Sequence, residues 1–102
     1  MNVNDLGHKY SLDSYEPGKK QQLQFIKKIP VSEGATELKT VVNGTTNEEV
    51  LRVLIDRLQY LNNKFPCREN SIVITKLEES LMWLDKRTAD RVARGVEGKQ
   101  IK

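Results

Sequence analysis

Arg87, Arg91 and Arg94 follow one another at spacings of four and three residues. On an α-helix that spacing sets three guanidinium groups on one face, about one turn apart. The planar fork of donors on arginine suits phosphate oxygens, and two such forks can grip two phosphates of one small molecule. The distribution of charge points to the same place. Leu84 to Lys102 carries six basic residues against three acidic ones, the preceding 83 residues hold eleven of each sign, and the net charge is +3. Compensation of a helix dipole plus a solvated tail would also account for this, since cations near a helix C-terminus contribute about 0.3–1 kcal/mol each. Further up the chain, Tyr60 and Phe65 offer rings for stacking, and Asn62, Asn63 and Asn70 offer amides able to read the edge of a base. Each has a plainer role beside the functional one. Tyr60 suits a partly buried position near a helix end, Asn70 suits a helix cap, and Trp83 suits a core or interface.

Bond-breaking chemistry is poorly provided for. His8 is the sole histidine, so no His-based general base, triad or multi-His metal site can be assembled. Cys67 stands beside Arg68 at an expected helix start, where a thiol can be activated. No histidine partners it, and capping or packing explains it. Glu48-Glu49 and Glu78-Glu79 suit a helix start and a solvated helix face. There is no glycine-rich phosphate loop with a strand leading into it. The chain is read as a binding protein, not an enzyme, with no cofactor.

The elements that must position these groups follow from hydrophobic spacing. Thr46-Asn47-Glu48-Glu49 is a capping-box pattern, and Leu51, Leu54, Leu58, Leu61 and Phe65 continue from it as one apolar helical stripe. Pro66 ends that run. Ile74, Leu77, Leu81, Leu84 and Thr88 form the stripe of a second helix, with Gly95 as its stop. The short connection forces the two helices antiparallel. Ile72, Val73, Met82 and Trp83 lie off the second stripe, which predicts either a subunit interface or cover by another element. Before the helices, Leu23, Phe25 and Ile29 share one face of an alternating run that Pro30 stops, and Ser32-Glu33-Gly34 supplies a turn. Glu37 to Val42 returns as a second strand, completing a β-hairpin. A lone two-stranded hairpin is marginal in water and needs a surface to lie on.

The expected class is therefore α+β: an N-terminal β-hairpin followed by a long antiparallel two-helix hairpin, in an oligomer. Residues 1–20 are expected to be weakly ordered, 21–45 to form the β-hairpin, 46–95 to form the helical hairpin in one domain with it, and 96–102 to be a basic tail. A chain of 102 residues has room for one small domain with a marginal core, and self-association is a common remedy. The 30% charged and 37% hydrophobic composition fits a soluble globular chain. No apolar run approaches the roughly 20 residues that span a bilayer, and Met1 to Leu6 lacks the features of a secretory signal. A single cysteine excludes an internal disulfide.

The continuous run from Phe65-Pro66-Cys67-Arg68-Glu69-Asn70 through Trp83 to Thr88, and the end Arg91…Arg94-Gly95-Val96-Glu97-Gly98, together resemble the helical-hairpin domain shared by phage anti-Thoeris and anti-CBASS sponges. The resemblance covers the chain from Thr46 onward. The preceding β-hairpin makes the anti-Thoeris sponges the closer relatives, because the anti-CBASS sponge is mostly helical. It implies a non-enzymatic phage protein acting in the host bacterial cytoplasm. Such a protein captures a glycocyclic ADP-ribose messenger made by a TIR-domain enzyme. Relatives also capture cyclic di- or trinucleotides of CBASS at separate sites, and assemble as homodimers or higher oligomers such as hexamers. Carried over by position, Tyr60 would stack on adenine, Asn70 would contact base or ribose, and Arg87 with Arg91 would hold phosphates. Arg68 and Arg94 would be secondary contacts. From Asn70 to Arg91 is about 31 Å at roughly 1.5 Å rise per residue, too far for one small nucleotide to span. A complete site therefore needs the connection end of one subunit and the open end of another, as an antiparallel dimer permits. Two other classes compete: a small basic DNA-binding regulator, which the modest charge disfavours, and a structural interaction module that binds no nucleotide.

Overall fold

The computed structural model describes residues 1–102. The chain is α+β, with five short strands followed by two helices. It divides into two compact units, Met1–Thr46 with Gly98–Ile101, and Asn47–Glu97 with Lys102.

In the first unit, β1 (Asn2–Asp5), β2 (Lys9–Leu12) and β3 (Gln21–Gln24) form an antiparallel sheet in that order, and β4 (Lys27–Pro30) pairs antiparallel with β5 (Leu38–Val42). Two of these strands lie within the residues expected to be weakly ordered. They are short and mostly polar, and side chains tie them together. The Ser11 hydroxyl is buried on β2, 2.7 Å from Asn4 Oδ1 on β1 and 3.2 Å from Gln22 Oε1 on β3. Lys27 Nζ meets Asp5 Oδ2 at 2.9 Å, and this bond holds the Asp5 carboxyl below the usual carboxylate range.

The alternating run Leu23 to Ile29 is not one strand. It breaks at Phe25-Ile26, where the chain turns to a different partner. Thr45 N–H donates to the Gln24 carbonyl at 2.9 Å, and Ile26 N–H donates to the Thr45 carbonyl at 2.9 Å. Gly44 makes this crossing sterically possible, because a Cβ there would overlap the Gln24 carbonyl oxygen and the carbonyl carbon of Phe25. The ring of Phe25 then meets Tyr10 edge-on, with centroids 6.0 Å apart. Part of the expected basic tail also belongs to this unit. The backbone of Lys99 forms an isolated antiparallel β-bridge with that of Glu37, and Gln100 N–H donates to the Thr36 carbonyl at 2.7 Å.

The second unit is the helical hairpin, α1 (Asn47–Lys64) and α2 (Arg68–Ala93). Glu48 and Glu49 lie in the first turn of α1, where the helix dipole favours negative charge. Cross-helix contacts give the antiparallel sense: Arg52 reaches Asp85 at 3.6 Å near one end, and Asn62 reaches Ser71 at 3.2 Å near the other. On α2 the inward row is the expected one, Ile74, Leu77, Leu81, Leu84 and Thr88, and it continues to Arg91. On α1 the inward row is Leu51, Ile55, Leu58 and Leu61. Leu54 and Phe65, expected on that stripe, are 43% and 83% exposed. Ile55 takes the place given to Leu54 because the two residues are neighbours on the helix, about 100° apart, and either could complete a row through Leu51 and Leu58.

Little of the hairpin is fully enclosed. Ile74 is the only buried apolar residue, at 9% exposure, and Ile72, Val73, Met82 and Trp83 all remain exposed. Two helices alone offer each other one face apiece, so apolar residues off the inward row stay open. Neither helix is long and apolar enough to cross a membrane.

Candidate functional site

The open end of the hairpin collects the cations. At 100° per residue, Trp83, Arg87, Asp90 and Arg94 share the outer face of α2, while Arg91 falls between that face and the inward row. Its side chain is accordingly 7% exposed, the continuation of the buried stripe by a charged residue. Together with Lys86 and Lys102 these residues line a cleft of about 380 Å³, within the roughly 300–1,000 Å³ of small-ligand sites.

The backbone that closes α2 shapes this end. Arg94 is the C-cap, and Gly95 follows in the left-handed conformation at φ 71. Gly95 N–H donates to the Val92 carbonyl at 3.0 Å and Val96 N–H to the Arg91 carbonyl at 2.9 Å, the paired bonds of a glycine C-cap. The turn delivers two partners to Arg91. Its Nη2 donates to the Val96 carbonyl at 2.9 Å, and its Nε lies 3.3 Å from Glu97 Oε2. Lys86 pairs with Asp90 at 3.3 Å and lies 5.9 Å from the Trp83 ring. Arg87 and Arg94 form no ion pair with any carboxylate of the chain, whereas Lys86 and Arg91 do. The cleft thus combines exposed guanidinium groups with a flat indole surface, a set suited to an anion that carries a ring.

Sequence spacing had joined Arg87, Arg91 and Arg94, and the structure brings them to one cleft. Trp83, Lys86, Asp90 and Lys102 were not anticipated there. Trp83 was legible, for it stands four residues before Arg87 and extends the same row toward the N-terminus. A larger groove of about 590 Å³ runs between the helices, but Asp56, Glu78 and Asp85 outnumber Arg52 along it. That balance is wrong for phosphate.

Tyr60, Arg68 and Asn70 lie at the connection between the helices and not at the cleft. Tyr60 is 55% exposed, with Lys64 Nζ 4.6 Å from its ring centre. Asn70 is not the helix cap. That role belongs to Cys67, whose Sγ accepts from the Asn70 N–H at 3.4 Å. The Asn70 side chain is thereby relieved of capping. Asn62 is engaged by the turn itself: its Oδ1 accepts from Cys67 N–H at 3.0 Å and its Nδ2 donates to Ser71 Oγ at 3.2 Å. Because α2 is unbroken from Arg68 to Ala93, Asn70 and Arg91 stay about 31 Å apart at roughly 1.5 Å per residue. One hairpin does not unite the two groups.

The fold and the cleft define a small α+β module whose two-helix hairpin carries an arginine-lined cleft at its open end. Residues 28–89 match the hairpin domain of Acb2/Tad1, and the chain belongs to that family. It is also similar to "Thoeris anti-defense 1" of Bacillus phage SBSphiJ7, with 50% identity over 84 residues, a match taking in 71% of this chain and 59% of that protein. The chain therefore spans less than two thirds of that relative's length. The family match includes Tyr60, Arg68, Asn70 and Arg87 and ends before Arg91 and Arg94.

Proposed function

We propose that the chain is a non-enzymatic anti-defence sponge, which binds a cyclic ADP-ribose-type messenger of Thoeris immunity and keeps it from its effector. The observation that carries this reading is the arginine cleft at the end of a hairpin of this family, with Trp83 in its wall. Arg87 and Arg91 hold the two phosphates, with Arg94 as a third cation. Tyr60 stacks on the adenine, and Asn70, supported by Arg68, contacts base or ribose. The separation of these groups within one hairpin requires that the connection end of one copy meet the open end of another. Exposed apolar side chains on α2, Ile72 and Trp83 on its outer side with Val73 and Met82 on its flanks, supply surface for that contact. The working form is then a homodimer or a higher homo-oligomer in the cytoplasm of the infected host, with two equivalent sites per antiparallel pair.

Sequestration demands affinity well below messenger concentration, and a nanomolar constant corresponds to about −12 kcal/mol. Ring stacking, two charge-assisted phosphate contacts and exclusion of water between copies together reach that range. Incubating the purified chain with a glycocyclic ADP-ribose isomer, then heating and recovering the small molecule, tests the function directly. Depletion before heating and return of intact messenger afterwards is the expected result. Conversion to another product would indicate an enzyme, and no depletion would remove the sponge reading. Cyclic di- and trinucleotides of CBASS belong in the same assay as a second ligand class. Strictly monomeric behaviour by scattering, with and without messenger, would remove the two-copy site.

A further inference from the structure

Glu97 stands outside the set of expected ligand contacts, yet it holds the most buried cation of the cleft. The glycine turn after α2 places its carboxylate 3.3 Å from Arg91 Nε, while the Val96 carbonyl takes Nη2 at 2.9 Å. Nε and Nη2 form the side edge of the guanidinium, one of the two edges that grip paired phosphate oxygens. The chain itself meets both nitrogens, Nε with a carboxylate and Nη2 with a backbone carbonyl. The Arg91 side chain is 7% exposed and that of Glu97 is 43% exposed, so the carboxylate is the partner that can leave for water.

We propose that Glu97 is an internal competitor for Arg91: its carboxylate occupies the guanidinium edge that a ligand phosphate takes, and capture of a diphosphate releases it. This rests on the cleft being the phosphate end of the messenger site. A carboxylate and a phosphate on one guanidinium edge would bring like charges together where burial limits screening, so one excludes the other. In the absence of ligand, Glu97 keeps a buried arginine paired, which removal of one partner would leave uncompensated. The same contact therefore stabilises the empty chain and weakens the filled one. Arg87 and Arg94, without such an acid, are the first contacts of an arriving anion, and Arg91 joins as Glu97 swings out.

The two roles separate in Glu97→Gln, which keeps the shape and an oxygen acceptor but removes the charge. Inorganic pyrophosphate is the probe, titrated by calorimetry against the full wild-type and variant chains. A melting curve and the Arg91 Nε–H resonance are followed alongside. The variant is expected to melt at lower temperature, to bind pyrophosphate at least about tenfold more tightly, and to gain more melting temperature from it than wild type. In wild type the Arg91 Nε–H resonance shifts as pyrophosphate saturates. Equal or weaker binding by the variant would overturn the proposal, because Glu97 would then orient Arg91 for the ligand. So would an unmoved Arg91 resonance at saturation, or no pyrophosphate binding by either form. A parallel titration with a cyclic ADP-ribose isomer separates this from the messenger reading. If the variant gains for pyrophosphate while neither form holds the isomer, the messenger falls and the competitor stands. If both forms hold the isomer equally and pyrophosphate shows no gain, the competitor falls and the messenger stands.

Discussion

The two ends of the helical hairpin are both rich in polar side chains, but the chain uses them differently. At the connection, a tight turn must satisfy its own backbone, and nearby side chains do so. Asn62 engages Cys67 and Ser71 with both halves of its amide, and Cys67 caps α2 with its thiol. At the open end, backbone bonds around Gly95 close the helix, so the side chains are not needed for capping. After Lys86 pairs with Asp90 and Arg91 with Glu97, Arg87 and Arg94 remain without an acid partner. Folding thus engages Asn62 and Cys67 at the connection, whereas at the open end it leaves Arg87 and Arg94 without an acid.

The largest effect expected from this contrast is at Arg87. Arg87→Ala should leave helix content unchanged by circular dichroism and weaken messenger binding by about 2–5 kcal/mol, mostly through faster release. Undiminished affinity by calorimetry would break the assignment of phosphate binding to the open end. Asn62→Ala, at the other end, removes two turn bonds and should lower stability by about 1–2 kcal/mol in a denaturant titration, with pyrophosphate binding unaltered. Unaltered stability together with lost binding would mean that the connection amide serves the ligand after all. Cys67→Ser tests the smallest effect. A hydroxyl is a better N-cap acceptor than a thiol, so stability should rise by up to about 1 kcal/mol. A fall would show that the sulfur packs as well as caps.

The same contrast explains what could be read from the chain alone. Both helices were legible, because apolar spacing, Pro66 and Gly95 all agree on where they run. The row on α1 was misplaced by one residue because Leu54 and Ile55 are equally apolar, and only the facing helix decides between them. The strands β1 and β2 left only a short pattern, the alternation Lys9-Tyr10-Ser11-Leu12. They are four residues each, and their apolar face is only Val3 and Tyr10, which meet Leu23 of β3 across the sheet. The break at Phe25-Ile26 depends on Gly44-Thr45 returning from some twenty positions later, a contact that no local spacing encodes. The arginine row was visible as a row, but spacing treats its members alike. Set against the apolar stripe, it places Arg91 at that stripe's edge, but it does not show that Glu97 folds back onto Arg91.

Trp83, the only tryptophan in the chain, forms part of the cleft wall and is 62% exposed. Its fluorescence therefore reports on one location, and an aromatic guest settling against it would alter that emission. Arrival and departure of such a guest can be timed optically on the unlabelled chain, with no dye to disturb the charges of the cleft.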